Sequence, residues 1–198
     1  FDPSLPLAGK KLGQALAALG HGTEADAAFE TWFGQSQDRA SVVVALDHLQ
    51  AGRHDDAVAT LKARLRINPD NVDALVTLAQ AWLGDEKHAA DVEALLRRAT
   101  DIAPAHVGAW MLLGAALHGS ERPQEAIAAY RRATELEPDN AGAWSGLGAE
   151  YALIGDMEKS TAAYSRSVAL KPGLPGIHLS YAHSLKSLGR QSESLRQY

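Results

Sequence analysis

Three places in the chain carry residue types that could do chemistry. His54-Asp55-Asp56 sets an imidazole beside two carboxylates, the donors of a metal corner or of a general base with its orienting acid. The triplet falls in a turn before a helical pattern, where aspartates suit the N-terminal positions of the coming helix. Capping is therefore the expected role. His178 and His183 lie at i and i+5, whereas two histidines that hold one metal from one helix need i and i+4. The acid pairs Asp55/Asp56 and Glu135/Glu137 fall on expected exposed helix ends and read as solvated surface charge. The remaining histidines (His21, His48, His88, His106, His118) are scattered, with no carboxylate or cysteine at ligand spacing. No G-x-x-x-x-G-K or G-x-G-x-x-G cradle is present, and Ser145 and Ser160 fall mid-helix with no G-x-S-x-G elbow. The expectation is a chain with no catalytic residue, no metal and no cofactor: not an enzyme in itself.

Composition narrows the partners. Hydrophobic residues are 46% of 198, enough for a packed core along the whole length. A net charge of −5 with both signs mixed gives no basic footprint for nucleic acid. No apolar run is long enough to cross a membrane. The absence of cysteine removes disulfides and thiol chemistry. The chain starts at Phe1 and reads as a fragment or a processed product, with a cytoplasmic location as the default expectation.

The elements that must position any site follow from four prolines. Pro69, Pro104, Pro138 and Pro172 stand 35, 34 and 34 residues apart, and a similar phrase follows each. A period near 34 is that of stacked helix-turn-helix units. Framed on the prolines, repeats start at Asp38, Val72, Val107, Ala141 and Pro175, with a weaker one from about Pro6. In the unit at Ala141, Trp144, Leu147, Gly148 and Tyr151 mark one face of a first helix, A. Gly155-Asp156 breaks it, and Ser160, Tyr164 and Ser167 mark a second helix, B. The unit at Val107 repeats this with Trp110, Leu113, Gly114, Leu117, Ala126, Tyr130 and Ala133. Glycines at Gly114 and Gly148 let helices approach closely, and the tryptophans and tyrosines fill the space beside them. Asp-Asn after Pro69 and after Pro138 supplies N-caps.

On these residues the chain resembles the tetratricopeptide repeat (TPR) family, whose pattern W-x2-L-G-x2-Y, A-x3-F/Y-x2-A and a closing proline is met almost fully at Val107 and Ala141. The resemblance implies an all-α, right-handed superhelical solenoid of antiparallel helix pairs. One array spans 1–198, with repeats at about 6–37, 38–71, 72–106, 107–140, 141–174 and a truncated 175–198. Several departures stand out. Ser41 replaces the tryptophan and Arg64 the last small residue in the unit at Asp38. One extra residue falls in the Gly84–His88 turn. The first unit keeps Leu12, Gly13, Leu16, Gly20, Ala25 and Phe29, but has Trp32 at a small position and no closing proline. The last repeat breaks off within its helix B, so the sequence reads as a piece of something longer.

In such arrays helix A lines the concave face. Carried onto this sequence, that face includes Arg39, Val42, Val43, Leu46, Asp73, Val76, Thr77 and Gln80 in the earlier repeats. Met111, Leu112, Ala115, Ser145, Ala149, Leu179 and His183 continue it in the later ones. An apolar trough with polar ends suits an extended peptide or a helix of a protein partner. The carboxylate clamp of chaperone-binding TPR proteins is missing, because Val42, Leu46, Thr77, Gly108 and Leu112 occupy its places. Two other readings compete. Leu179–Arg190 resembles the last repeat of bacterial proteins that join TPR units to a sulfotransferase domain, which would make the chain a non-catalytic arm of a larger enzyme. Self-association as a homodimer through exposed terminal helices is the third.

Overall fold

Each of the four periodic X-Pro pairs ends a helix at the same distance, because the residue before a proline is pushed out of the α region. In the computed structural model, which describes residues 14–16, 19 and 22–197, helices end at Ile67, Ile102, Leu136 and Leu170, two residues before Pro69, Pro104, Pro138 and Pro172. Four C-caps (Asn68, Ala103, Glu137, Lys171) share extended dihedrals and donate their N–H to the carbonyl four residues back. The helices are α1 Gly22–Gln50, α2 His54–Ile67, α3 Val72–Trp82, α4 Ala89–Ile102, α5 Val107–Gly119, α6 Pro123–Leu136, α7 Ala141–Leu153, α8 Met157–Leu170, α9 Pro175–Ser187 and α10 Gln191–Ser194. No strand occurs among the described residues. No described helix is long and apolar enough to cross a membrane.

The chain forms two compact units, residues 1–81 and 82–198. In the first, α1 packs on α2. Helix α1 runs unbroken through the boundary expected at 37/38, since Gln35-Ser36-Gln37-Asp38 holds no proline to stop it. Leu12, Gly13 and Gly20 lie outside the described residues, as do the side chains of Ala25, Phe29 and Trp32. The charged substitute Arg64 is buried and pairs with Asp38, which also accepts a bond from Asn68 Nδ2 at 2.8 Å. The equivalent Ser167 of a later repeat reaches the same place in its own unit, donating to the Ala141 carbonyl at 2.8 Å.

The second unit is built in two layers. Helices α5, α7 and α9 lie side by side, α5 against α7 and α7 against α9. The second layer interleaves: α6 packs on α5 and α7, and α8 on α7 and α9. Glycine sets this spacing. A Cβ on Gly146 would stand 2.5 Å from the Tyr130 ring, and one on Gly114 would stand 2.8 Å from it. Tyr130 of α6 thus fills a slot between α5 and α7 that only glycine leaves open, and Gly148 admits Tyr164 in the same way at 3.0 Å.

The prolines do more than stop helices. Trp110 Nε1 donates to the Pro104 carbonyl at 2.9 Å, and Trp144 Nε1 to the Pro138 carbonyl at 2.8 Å. His178, at the tryptophan's place in the next repeat, donates from Nε2 to the Pro172 carbonyl at 2.9 Å. A ring N–H on α5, α7 and α9 therefore ties each of them to the end of the preceding helix. Asn71 and Asn140 cap as expected, accepting from Ala74 N at 2.8 Å and Ala143 N at 3.0 Å. His106 Nδ1 does the same for Ala109 N at 3.0 Å. The extra residue of the 72–106 repeat is absorbed by a 3-10 turn, Glu86–His88, with His88 stacked on Trp82 at 4.3 Å.

Candidate functional site: the exposed face of the first-layer helices

Several of the residues that could do chemistry have structural partners. At His54-Asp55-Asp56 the N-cap is Arg53, which makes no side-chain cap bond. The aspartates occupy the first turn of α2, where carboxylates complement the helix dipole, in place of the capping bond expected of them. His178 is held by Pro172 and lies 3.0 Å from Gln197 Oε1, while His183 is exposed. Glu135 pairs with Arg132 at 3.1 Å, and Glu137 accepts from Asn140 at 2.9 Å. Among the described residues no group of three or more His, Cys, Asp or Glu is placed to hold a metal.

The groove-lining expectation is distributed over both units. In the first, Arg39, Val43, Leu46, Asp73 and Gln80 are exposed, and Val42 and Val76 are half-buried. Thr77 is 7% exposed, and its hydroxyl donates to the Asp73 carbonyl at 2.7 Å, so it turns toward its own helix. In the second unit, Met111, Leu112 and Ala115 on α5 and Ser145 and Ala149 on α7 are half-buried, while Leu179 and His183 on α9 are exposed. The methyl of Met111 would stand 3.0 Å from a Cβ on Gly142, so it lies directly over the α7 backbone. Between them the layer carries small residues at Ala115, Ser145, Gly146 and Ala149.

Beneath that face sits a charge that local spacing did not show. Glu150 of α7 is 1% exposed, and its Oε1 accepts from His118 Nδ1 of α5 at 2.7 Å. Its other oxygen, Oε2, finds no hydrogen-bond donor in the protein. Burial raises the Glu150 carboxyl above its ordinary value of 4.5, and His118 opposes that shift. Tyr130 is pushed up to about 12 by burial and then by the Glu150 charge, and Tyr164 is raised by the same two causes. The partners stand 32 residues apart, so no ligand-spacing rule joins His118 to a carboxylate. The repeat frame does hold a signal. At the place of Glu150, neighbouring repeats carry Ala81, Ala116 and Ser184.

Two clefts lie among the described residues of the second unit. One of about 320 Å³ is lined by Trp82, Leu83, Ala89, Val92, Ala115 and Ala116. The other, about 740 Å³, lies over α7 between α6 and α8, with Trp144 and Tyr151 at its base and Arg131, Lys159 and Arg166 around it. Its cations are largely committed. Lys159 pairs with Asp156 at 2.5 Å and stands 5.4 Å from the Tyr151 ring centre, and Arg166 pairs with Asp139 at 3.2 Å.

Paired helices recurring on a proline ruler, with one layer's rings tied to the previous unit's end, define an all-α helical-repeat protein. Those repeats are tetratricopeptide repeats. A model described as tetratricopeptide repeat matches residues 48–115, and a second, described as TPR repeat, matches residues 122–155. No curated protein matches the chain in sequence. Among solved structures, a crystal structure of MamA protein shares 24% identity at a TM-score of 0.71, covering 81% of this chain and 87% of its own. A second MamA structure shares 25% at 0.71, over 78% and 90%. TTC0263, a thermophilic TPR protein of Thermus thermophilus, shares 24% at 0.64, over 81% and 88%. At this level the likeness establishes the fold. TPR proteins are generally non-catalytic scaffolds, and the TPR fold points to protein partners.

Proposed function

We propose that the chain binds a peptide segment of a protein partner on the face of its first-layer helices, centred in the second unit on Met111, Leu112, Ala115, Ser145 and Ala149 and continued by Leu179 and His183. The observation that carries this reading is the run of small residues beside exposed apolar side chains on that face. Where α5 and α7 run side by side, glycine, alanine and serine recur, and Leu179 remains 46% exposed on α9 beside them. Exposed apolar area bordered by polar groups is where a partner's side chains gain most from leaving water. In the first unit the exposed Arg39, Val43, Leu46, Asp73 and Gln80, with the half-buried Val42 and Val76, extend the same reading. Thr77 is turned toward its own helix.

The test fills the face without disturbing the core. Ala149→Trp and Met111→Glu sit at half-buried positions, so helical circular dichroism should be unchanged. Capture of the partner should fall below detection for both. If capture persists with the wild-type helical signal, the binding site is elsewhere. The sulfotransferase arm and the self-association module gain no specific observation from the described helices.

A further inference from the structure

The burial of Glu150 is unusual within its own repeat series. Packing does not require a buried carboxylate there, since Ala81, Ala116 and Ser184 serve at the equivalent places and the equivalent Asp47 is exposed. Ser184 is satisfied by Ser160 at 2.8 Å, whereas Glu150 keeps one oxygen with no donor. A buried carboxylate with half its acceptor capacity unused is unfavourable, and a second cationic or N–H partner would offset that. The groups that face it are His118 from α5, Tyr130 from α6 and Tyr164 from α8. His118 is on the solvent side: its side chain is 51% exposed while the carboxylate it covers is 1% exposed. The ring is therefore free to swing outward. Beside it the small side chains of Ala115, Ser145 and Ala149 leave a path over the helices for a long, thin side chain.

We propose that the partner segment presents a lysine or arginine side chain to this point, where Glu150 takes its charge and His118 is the occupant displaced. The proposal rests on the peptide-binding reading of this face. An arginine would suit the geometry well, since its planar fork can use both carboxylate oxygens at once, the one His118 now occupies and the one without a donor. An acidic segment would meet Glu150 as a like charge.

A random-peptide phage library panned on the full chain supplies the probe, and one selected peptide is then synthesised with a fluorescent label, together with a copy in which its basic residue is replaced by glutamine. Anisotropy titrations are run on the wild type, Glu150→Gln, His118→Ala and Ala149→Trp, each checked by circular dichroism. The expected result is selection of lysine or arginine at one place in the peptides. Affinity should fall about 30-fold or more in Glu150→Gln and for the glutamine copy, and rise a few-fold in His118→Ala, where the competing occupant is gone. Selected peptides that lose binding in Ala149→Trp but bind Glu150→Gln as tightly as wild type would overturn the cation site and leave the peptide face standing. Weakened binding in His118→Ala would overturn the displacement. Should no peptide be selected, or should binding ignore Ala149→Trp, the peptide face fails and the cation site with it.

Discussion

At the scale of the residue, Glu150 links stability to pH. Its carboxyl is raised in the folded chain by burial, so between its unfolded and folded values the native state holds the extra proton. Stability from this group is complete below the ordinary value of 4.5 and is lost as pH rises through the folded value. His118, Tyr130 and Tyr164 face it, and only His118 opposes the shift. Glu150→Gln keeps an acceptor for His118 and removes the buried charge. Urea unfolding at neutral pH should show the variant more stable by on the order of 1 kcal/mol, with the difference vanishing below the carboxylate range. A variant less stable at neutral pH would mean that the His118 ion pair outweighs burial. A second residue-scale prediction concerns the turns between paired helices. Gly52, Gly155 and Gly189 adopt positive φ there, and in the fourth equivalent turn Glu121 is forced to φ 57°. Glu121→Gly should remove left-handed strain and raise the unfolding free energy by up to about 1 kcal/mol; a drop would show that glycine's extra unfolded-state freedom dominates.

At the scale of the element, glycine position decides the sign of a substitution. Gly146→Ala would drive a Cβ to 2.5 Å from the Tyr130 ring, wedging α6 from α7, and should destabilise by roughly 1–3 kcal/mol. Gly34, inside α1, would meet nothing within 4 Å, and Gly34→Ala should stabilise by about 1 kcal/mol. Thermal melts of the two variants should therefore move in opposite directions. The same elements show what was legible in the sequence. Pro69, Pro104, Pro138 and Pro172 gave the helix ends, and Asn71 and Asn140 gave the caps, because both act through nearby backbone. The continuity of α1 follows from a missing proline, a signal that was visible and outweighed by the period. The tie from Trp110, Trp144 and His178 to the proline carbonyls was hidden, since it needs a ring's orientation. His118 with Glu150 was hidden for another reason: the two meet only when neighbouring repeats stack, and each looks like surface charge when its helix is read alone.

At the scale of the whole molecule, a repeat chain stores its stability in interfaces between neighbours, so a local defect should stay local. Gly146→Ala acts at the α6 slot between α5 and α7, within the unit of residues 82–198. Native-state hydrogen exchange on this variant should show amides of α5, α6 and α7 losing protection by about 10-fold or more, the factor that corresponds to each ~1.4 kcal/mol of lost opening free energy. Amides of α1 and α2, which pack on each other in the other unit, should change far less. The graded pattern matters for function, because a binding face spread over several first-layer helices would then be tunable helix by helix. Equal loss of protection in α2 and α6 would show that the chain opens as one cooperative body, and a substitution on any helix would then weaken the whole face.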